Sequence, residues 1–463
     1  MLSSSPETPL HNDAIVSAAE RILADETAIF AGAHARSKEV FATPSSGFFD
    51  HVPQYWMRDW PMPFPVVIDK ASGSEVWDID GNRVIDFCLG DSGAMFGHGP
   101  QPILKALAGA ACHGLTTMLP SNDLDAVGDL LRSTFGMSKW QVTTTASDAN
   151  RFALRVARAV TGRKKILVFD GCYHGAVDET LVDLVDGKTV PRGGLIGQAV
   201  DLSETTVCIP FNNVPALEAA LKGGDIACVV AEPVMTNCGM ILPQAGFHKT
   251  LRDLTRATGT LLHIDETHTV STGYGGYSKV YGLEPDIFVV GKPVGGGIPV
   301  AVWGMTKDVA NRLDAARAAI TGTGHSGIGT TLSGSALQLA CLRACLEEVM
   351  TTEAYARMNR HADMIEEGFA AAIKQCNLPW HVGRVGARLE VVFSPNPLQN
   401  AAEAKAAANA TIQKALHSAF LNLGYLVTPF HNMVLVAPTT SEADVAGLVS
   451  SFEKILHRLT EAA

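Results

Sequence analysis

With 463 residues, 47% of them hydrophobic and 18% charged, the chain has the length and balance of a globular protein with a large core and two domains, not of a disordered one. A net charge of −11, with Arg163-Lys164-Lys165 as the one short basic cluster, argues against a nucleic-acid partner. The nine cysteines show no CxxC or zinc spacing and read as free thiols of a reducing, cytoplasmic compartment, with no metal site, no secretory leader and no membrane span expected.

Residues 1–12 read as disordered. Over 13–40, Ile15, Ala18, Ala19, Ile22 and Ile29 recur at helical spacing, an amphipathic stripe interrupted at Asp25 and Glu26. Residues 41–65 are rich in proline and aromatics (Phe48, Phe49, Tyr55, Trp56, Trp60, Phe64) and predict irregular chain. A meander follows from Val66 to Ile85, with turns at Ser72-Gly73 and Asp80-Gly81-Asn82. From about residue 100, helical stretches alternate with short apolar runs at Gln141–Thr145, Lys165–Phe169, Thr206–Pro210, Ile226–Ala231, Leu261–Ile264, Ile287–Val290 and Val300–Met305. Seven such runs with helices between them predict an α/β fold, a mostly parallel, doubly wound sheet with helices on both faces. A helix from Ala336 to Met350, a further helix, and strands Arg388–Phe393, Tyr425–Val427 and Met433–Val436 then predict an α+β region. The expected division is a large domain over 76–335 and a small α+β domain built from the two termini, 1–75 and 336–463.

The densest chemistry lies between Leu261 and Pro299. One apolar run delivers Asp265 and a second delivers Gly291-Lys292 followed by Gly295-Gly296-Gly297. Ligands of open α/β sheets bind at the carboxyl ends of the strands, where both residues fall. A lysine amine condenses with an aldehyde, and a carboxylate beside a pyridine nitrogen keeps that nitrogen protonated, so that the ring accepts an electron pair. This is the pairing that pyridoxal phosphate requires. A Rossmann-type turn leaves the lysine and carboxylate unexplained. A bare buried Lys–Asp pair is costly and leaves the glycines unexplained.

The ordered set Asp265-Glu266, Gly273 to Gly276, Pro285-Asp286, Gly291-Lys292 and Gly295-Gly296-Gly297-Ile298-Pro299 resembles the signature of class III pyridoxal-phosphate aminotransferases. The resemblance implies a fold type I enzyme with pyridoxal 5'-phosphate on Lys292 and Asp265 as the partner of its ring nitrogen. Thr143 to Asn150 ends one strand and opens a helix expected over Arg151 to Val160, capped by Ser147 or Asp148. The family has Ser-Gly-Thr-Glu-Ala where this chain has Thr145-Ala146-Ser147-Asp148-Ala149, so Ala146, Ser147 and Asp148 are implied on the phosphate side; on the residues alone this is an ordinary helix cap. Ala157 to Ile166 also resembles the family.

In Tyr173-His174-Gly175 the resemblance places Tyr173 on the ring face and gives His174 a supporting role. Glu232 in Glu232-Pro233 is either near the cofactor or a structural carboxylate, and Asn237 is implied near the ring hydroxyl. Thr331, in Thr330-Thr331-Leu332-Ser333-Gly334, is implied to reach the phosphate of a neighbouring subunit, hence a homodimer with shared sites; on the residues alone it caps a helix.

Two departures stand out. Thr267 and His268 follow the Asp-Glu pair where the family has valine and then methionine or glycine-rich sequence; Thr267 is expected against the ring. The stretch Val427 to Met433 has no arginine for a substrate carboxylate. Arg58, with Trp60 beside it, is the substitute candidate unless it pairs with Asp59, and Arg388 is a weaker one. The expected activity is transfer of an amino group from an amine or β/ω-amino acid to a keto acid. The alternative is an intramolecular shift of the glutamate-1-semialdehyde aminomutase type, the branch that residues 75–340 resemble. No GxGxxG follows an early strand, which argues against a nicotinamide dehydrogenase.

Overall fold

The computed structural model describes residues 13–42, 47–320, 322 and 324–461; the segment 1–12, expected to be disordered, lies outside them. The described chain forms two compact units. The first comprises the described residues of Met1–Asp91, Arg357–Pro397 and Lys405–Ala463; the second comprises Ser92–Ala356 and Leu398–Ala404.

The second unit is built on seven strands: β1 (Lys139–Thr143), β2 (Lys165–Phe169), β3 (Thr206–Ile209), β4 (Ile226–Ala231), β5 (Leu261–Asp265), β6 (Ile287–Val290) and β7 (Ala301–Met305). Their order in the sheet is β1-β7-β6-β5-β4-β2-β3, and β7 alone runs antiparallel to its neighbours. Strands β4 to β7 are buried at every residue, because a parallel sheet covered on both faces needs apolar side chains in both directions. That continuous apolar character makes these strands readable as short unbroken runs. Helix Ala146–Thr161 packs across the middle of the sheet, against β1, β4, β5, β6 and β7.

Two features of this unit differ from expectation. Strand β1 ends at Thr143 rather than Thr145, because the Thr145 side chain leaves the sheet to cap the next helix. A hairpin of Val182–Val185 and Lys188–Pro191 was not anticipated, although Asp186-Gly187 between two apolar-rich runs is the two-residue turn signal; both residues have positive φ, 50° and 73°.

The first unit carries a sheet of Ile68–Ser72, Glu75–Asp78 and Arg83–Asp86, extended by Tyr425–Leu426 in parallel with Arg83–Asp86. That pairing draws the whole meander into this unit, so the division falls at 91/92 rather than at 75/76. A second sheet joins His381–Val385, Arg388–Val392 and Val434–Leu435. Helix Ala336–Ala344 packs on Gln101–His113 and stays with the second unit, so the later division falls at 356/357 rather than at 335/336.

The N-terminal helix runs through Asp13–Ala33 without breaking at Asp25 and Glu26. Ala18, Ile22, Glu26 and Phe30 form one buried stripe at four-residue spacing, while Ile29, expected on it, faces outward. Glu26 is tolerated there because Asn422 Nδ2 donates to it at 2.7 Å and Arg458 Nη1 at 2.5 Å, from the two C-terminal helices on which it packs. Replacing Glu26 by Ala leaves those donors unmatched. We expect a loss of about 1–3 kcal/mol, read as a lower urea midpoint at unchanged slope by circular dichroism.

Candidate active site

Strand β5 ends in Asp265, 4% exposed. A lone buried carboxylate is costly, and this one is held by three donors. Asn150 Nδ2 lies 2.8 Å and His174 Nδ1 3.1 Å from Oδ2, and the Thr267 amide donates to Oδ1 at 3.1 Å. Burial alone raises its pKa; the hydrogen bond and charge of His174, with Thr267 and Asn150, outweigh that and hold the carboxyl well below the usual carboxylate range. Burial alone disfavours the imidazolium of His174, but neighbouring Cys172 and Asp265 push its pKa up to about 10. The result is a locked carboxylate–imidazolium pair.

Strand β6 delivers Lys292 two residues beyond its end, after Gly291. Lys292 opens a short turn, Lys292–Gly295, at φ 47°, a strained setting for a residue with a side chain. Its Nζ bonds directly to His268 Nε2, and His268 Nδ1 lies 2.6 Å from Thr236 Oγ1. Gly291 lets this turn approach the helix at Ala146: a Cβ on it would sit 2.8 Å from the Ala146 Cβ. Gly175, at φ 83°, likewise clears Ser147, whose Cβ would be 2.9 Å from an added one.

The cap of helix Ala146–Thr161 is Thr145, not Ser147 or Asp148. Thr145 Oγ1 accepts from the Asp148 amide at 3.1 Å and donates to the Asp148 carboxylate at 3.0 Å, so Asp148 is occupied by the cap residue. Ser147 Oγ instead accepts from the Ala176 amide at 3.0 Å.

These parts border one cavity of about 310 Å³ in the second unit. Of the expected residues, Ala146, Ser147, Tyr173, His174, Glu232, Asp265, Thr267 and Lys292 line it, together with His268 and Thr144. Asp148 and Asn237 do not; Asn237 donates to Glu232 at 3.1 Å instead. Thr331 is exposed ahead of Ser335, and Ser335 caps its helix in a box with Gln338. Arg58 and Trp60 belong to the first unit, where Arg58 pairs with Asp50 at 2.8 Å rather than with Asp59, and Trp60 packs edge-on against His417. Arg388 is buried in that unit, 3.8 Å from Asp91.

Two working residues were missed. Asn150 shares the buried face of its helix with Ala153 and Leu154, and a polar residue on an apolar face was the available signal. Thr236 carried none. The second carboxylate of the Asp-Glu pair is structural: Glu266 accepts the amides of Tyr277 at 3.0 Å and Ser278 at 2.5 Å, and a Cβ on Gly276 would sit 2.9 Å from it.

A primary amine, a locked carboxylate and a helix N-terminus with hydroxyls converge on this cavity. The set matches an anionic aldehyde with a basic ring nitrogen, the chemistry of pyridoxal phosphate. Comparison with known proteins agrees. The Aminotransferase class-III profile matches residues 57–456. Glutamate-1-semialdehyde 2,1-aminomutase of Anaeromyxobacter dehalogenans (strain 2CP-1) is 33% identical over 395 residues, 84% of this chain and 89% of the relative. A solved glutamate-1-semialdehyde-aminomutase from Pseudomonas aeruginosa PAO1 is 44% identical, with TM-score 0.94, covering 96% of this chain and 99% of that one; a variant of it was solved in complex with PMP. A β-phenylalanine aminotransferase from Variovorax paradoxus, 23% identical over 95% of this chain and 97% of that one, shares the fold at TM-score 0.84. The chain therefore belongs to the class-III aminotransferase family and has the fold type I architecture of its pyridoxal-phosphate enzymes.

Proposed function

We propose that this protein moves an amino group between two carbons of a single substrate, as a pyridoxal-phosphate aminomutase of the glutamate-1-semialdehyde type. The observation that carries this reading is the 44% identity to the Pseudomonas aeruginosa protein of that name across 96% of the chain. A match of this extent takes in the terminal regions outside residues 75–340 as well, and it favours the single-substrate reading over transfer to a separate keto acid.

Pyridoxal phosphate is the cofactor; bound, it supplies an electrophilic carbon and a ring that accepts an electron pair. Lys292 is the residue that holds it and then carries a proton as base and acid. Asp265, kept ionised by His174, Asn150 and the Thr267 amide, holds a proton on the ring nitrogen. The N-terminus of helix Ala146–Thr161, with Thr144 and Ser147, receives the phosphate, and Tyr173 covers the ring face. A homodimer fits the exposed apolar residues Leu115, Met118, Leu119 and Leu332, the last adjoining Thr331 in the chain, and free thiols fit a reducing cytoplasm. Sedimentation at micromolar concentration is expected to give a dimer; a monomer would remove Thr331 from any shared site.

The reaction class is checked with one substrate. Turnover of an amino-aldehyde without any amino acceptor is expected, lost by about 10³-fold or more in Lys292→Ala. Amino transfer to pyruvate or 2-oxoglutarate, with no single-substrate turnover, would restore the transaminase reading.

The Asp265–His174 pair predicts a pH signature in the cofactor-free protein. The folded pKa of His174 is about 10 and thus raised, so its stabilisation is complete below its unfolded value of about 6.5 and is lost as pH rises from there through the folded value. The unfolding midpoint should fall along that alkaline limb, and Asp265→Asn should flatten it.

A further inference from the structure

A second polar system, separate in its hydrogen bonds from the Asp265–His174 pair, meets Lys292. Glu232, just after β4, accepts the Thr236 hydroxyl at 2.6 Å and the Thr236 amide at 3.3 Å on Oε2, and Asn237 Nδ2 at 3.1 Å on Oε1. A carboxylate only accepts, so the single hydroxyl proton of Thr236 points to Glu232. The Thr236 oxygen must then accept the Nδ1–H of His268 at 2.6 Å. That sets the tautomer: the proton is on Nδ1 and the lone pair on Nε2. Nε2 is the atom that bonds to Lys292 Nζ. Glu232, Thr236 and His268 are all at most 7% exposed, so water does not stand in for these contacts.

We propose that His268 is the proton acceptor of Lys292, with Thr236 and Glu232 as the residues that position it. In the step, one N–H bond of the Lys292 ammonium breaks and its electron pair stays on Nζ. The proton forms an N–H bond at His268 Nε2, and the imidazolium is balanced by the Glu232 carboxylate across the Thr236 hydroxyl. The reverse step returns the proton. The amine so formed is the nucleophilic form, and His268 takes up the proton as attack proceeds. In the signature this chain resembles, the residues after the Asp-Glu pair are valine and then methionine or glycine-rich sequence, where Thr267 and His268 stand here. This role of His268 rests on the reading that Lys292 is the cofactor lysine.

The test follows attachment of pyridoxal phosphate to cofactor-free protein by stopped-flow absorbance, from about pH 6 to about pH 9. The other titratable groups facing the cavity are Tyr173, His174, Glu232 and Asp265, and wild type and His268 variants share them. His268→Gln is expected to slow attachment about 10²-fold at neutral pH and to shift the profile to higher pH, so that the gap closes in alkali. Free imidazole should restore the rate in His268→Ala. Thr236→Val, which keeps shape but removes the hydroxyl, should shift the profile in the same direction; it decides the matter if circular dichroism shows that the 268 variants do not fold. Profiles that overlay wild type, or a loss that imidazole leaves unchanged, would overturn the proposal. Wild-type protein that develops no band with pyridoxal phosphate would instead strike the cofactor reading beneath it.

Discussion

The buried carboxylate of Asp265 is the constraint on which the site depends. Taken out of water without partners, a carboxylate would neutralise and lose its use to a ring nitrogen. Here it is held by donors from three pieces of chain: Asn150 from helix Ala146–Thr161, His174 from the loop after β2, and the Thr267 amide just past β5. Asn150 also donates to the His174 carbonyl at 3.0 Å, which fixes that loop to the helix. The same bonds that keep the charge therefore bring helix Ala146–Thr161 and the Tyr173 loop to the end of β5, and the Gly291 amide ties the lysine turn to the same place by donating to Thr267 Oγ1 at 3.3 Å. Function and local stability are the same set of hydrogen bonds at this point.

Close approach of backbones is the second requirement, and it explains the small residues. Gly291 against Ala146 and Gly175 against Ser147 are contacts in which an added Cβ has no room. They set how near the lysine turn and the tyrosine loop lie to the helix N-terminus. The Asp-Glu pair divides its work by strand geometry, since successive residues of an extended chain project to opposite sides. Asp265 turns to the helix, and Glu266 turns away to receive the amides that open the turn Gly276–Tyr281.

Strands β4 to β7 were legible because a sheet buried on both faces leaves an unbroken apolar imprint, and Asp265 and Lys292 were legible because one closes such a run and the other follows one after a single glycine. What escaped were features decided by partners distant in sequence. Glu26 breaks a stripe locally and is satisfied by Asn422 and Arg458, about 400 residues away, so the helix seemed to weaken where it does not. Thr145, Ser147 and Asp148 are equivalent as caps from sequence; only the turn of the chain out of β1 selects Thr145. The unit boundaries moved for a similar reason, because neither the parallel pairing of Tyr425–Leu426 with Arg83–Asp86 nor the packing of helix Ala336–Ala344 on Gln101–His113 has a local signature. Arg58 had a plausible partner next to it in sequence and took Asp50 instead.

The cavity contains the same residue types twice, a carboxylate with an imidazole, arranged for opposite ends. His174 touches Asp265 directly, and full charge against full charge at 3.1 Å in a buried setting fixes the proton on the ring. His268 meets Glu232 only through the Thr236 hydroxyl. A neutral hydroxyl between them lengthens the separation of the charges and weakens the hold, while still fixing which nitrogen bears the proton. A histidine held that way is oriented through its Nδ1 while its Nε2 faces Lys292. The first arrangement suits the proposed electrostatic anchor, and the second suits the proposed proton acceptor. The interposed threonine is the physical difference between the two.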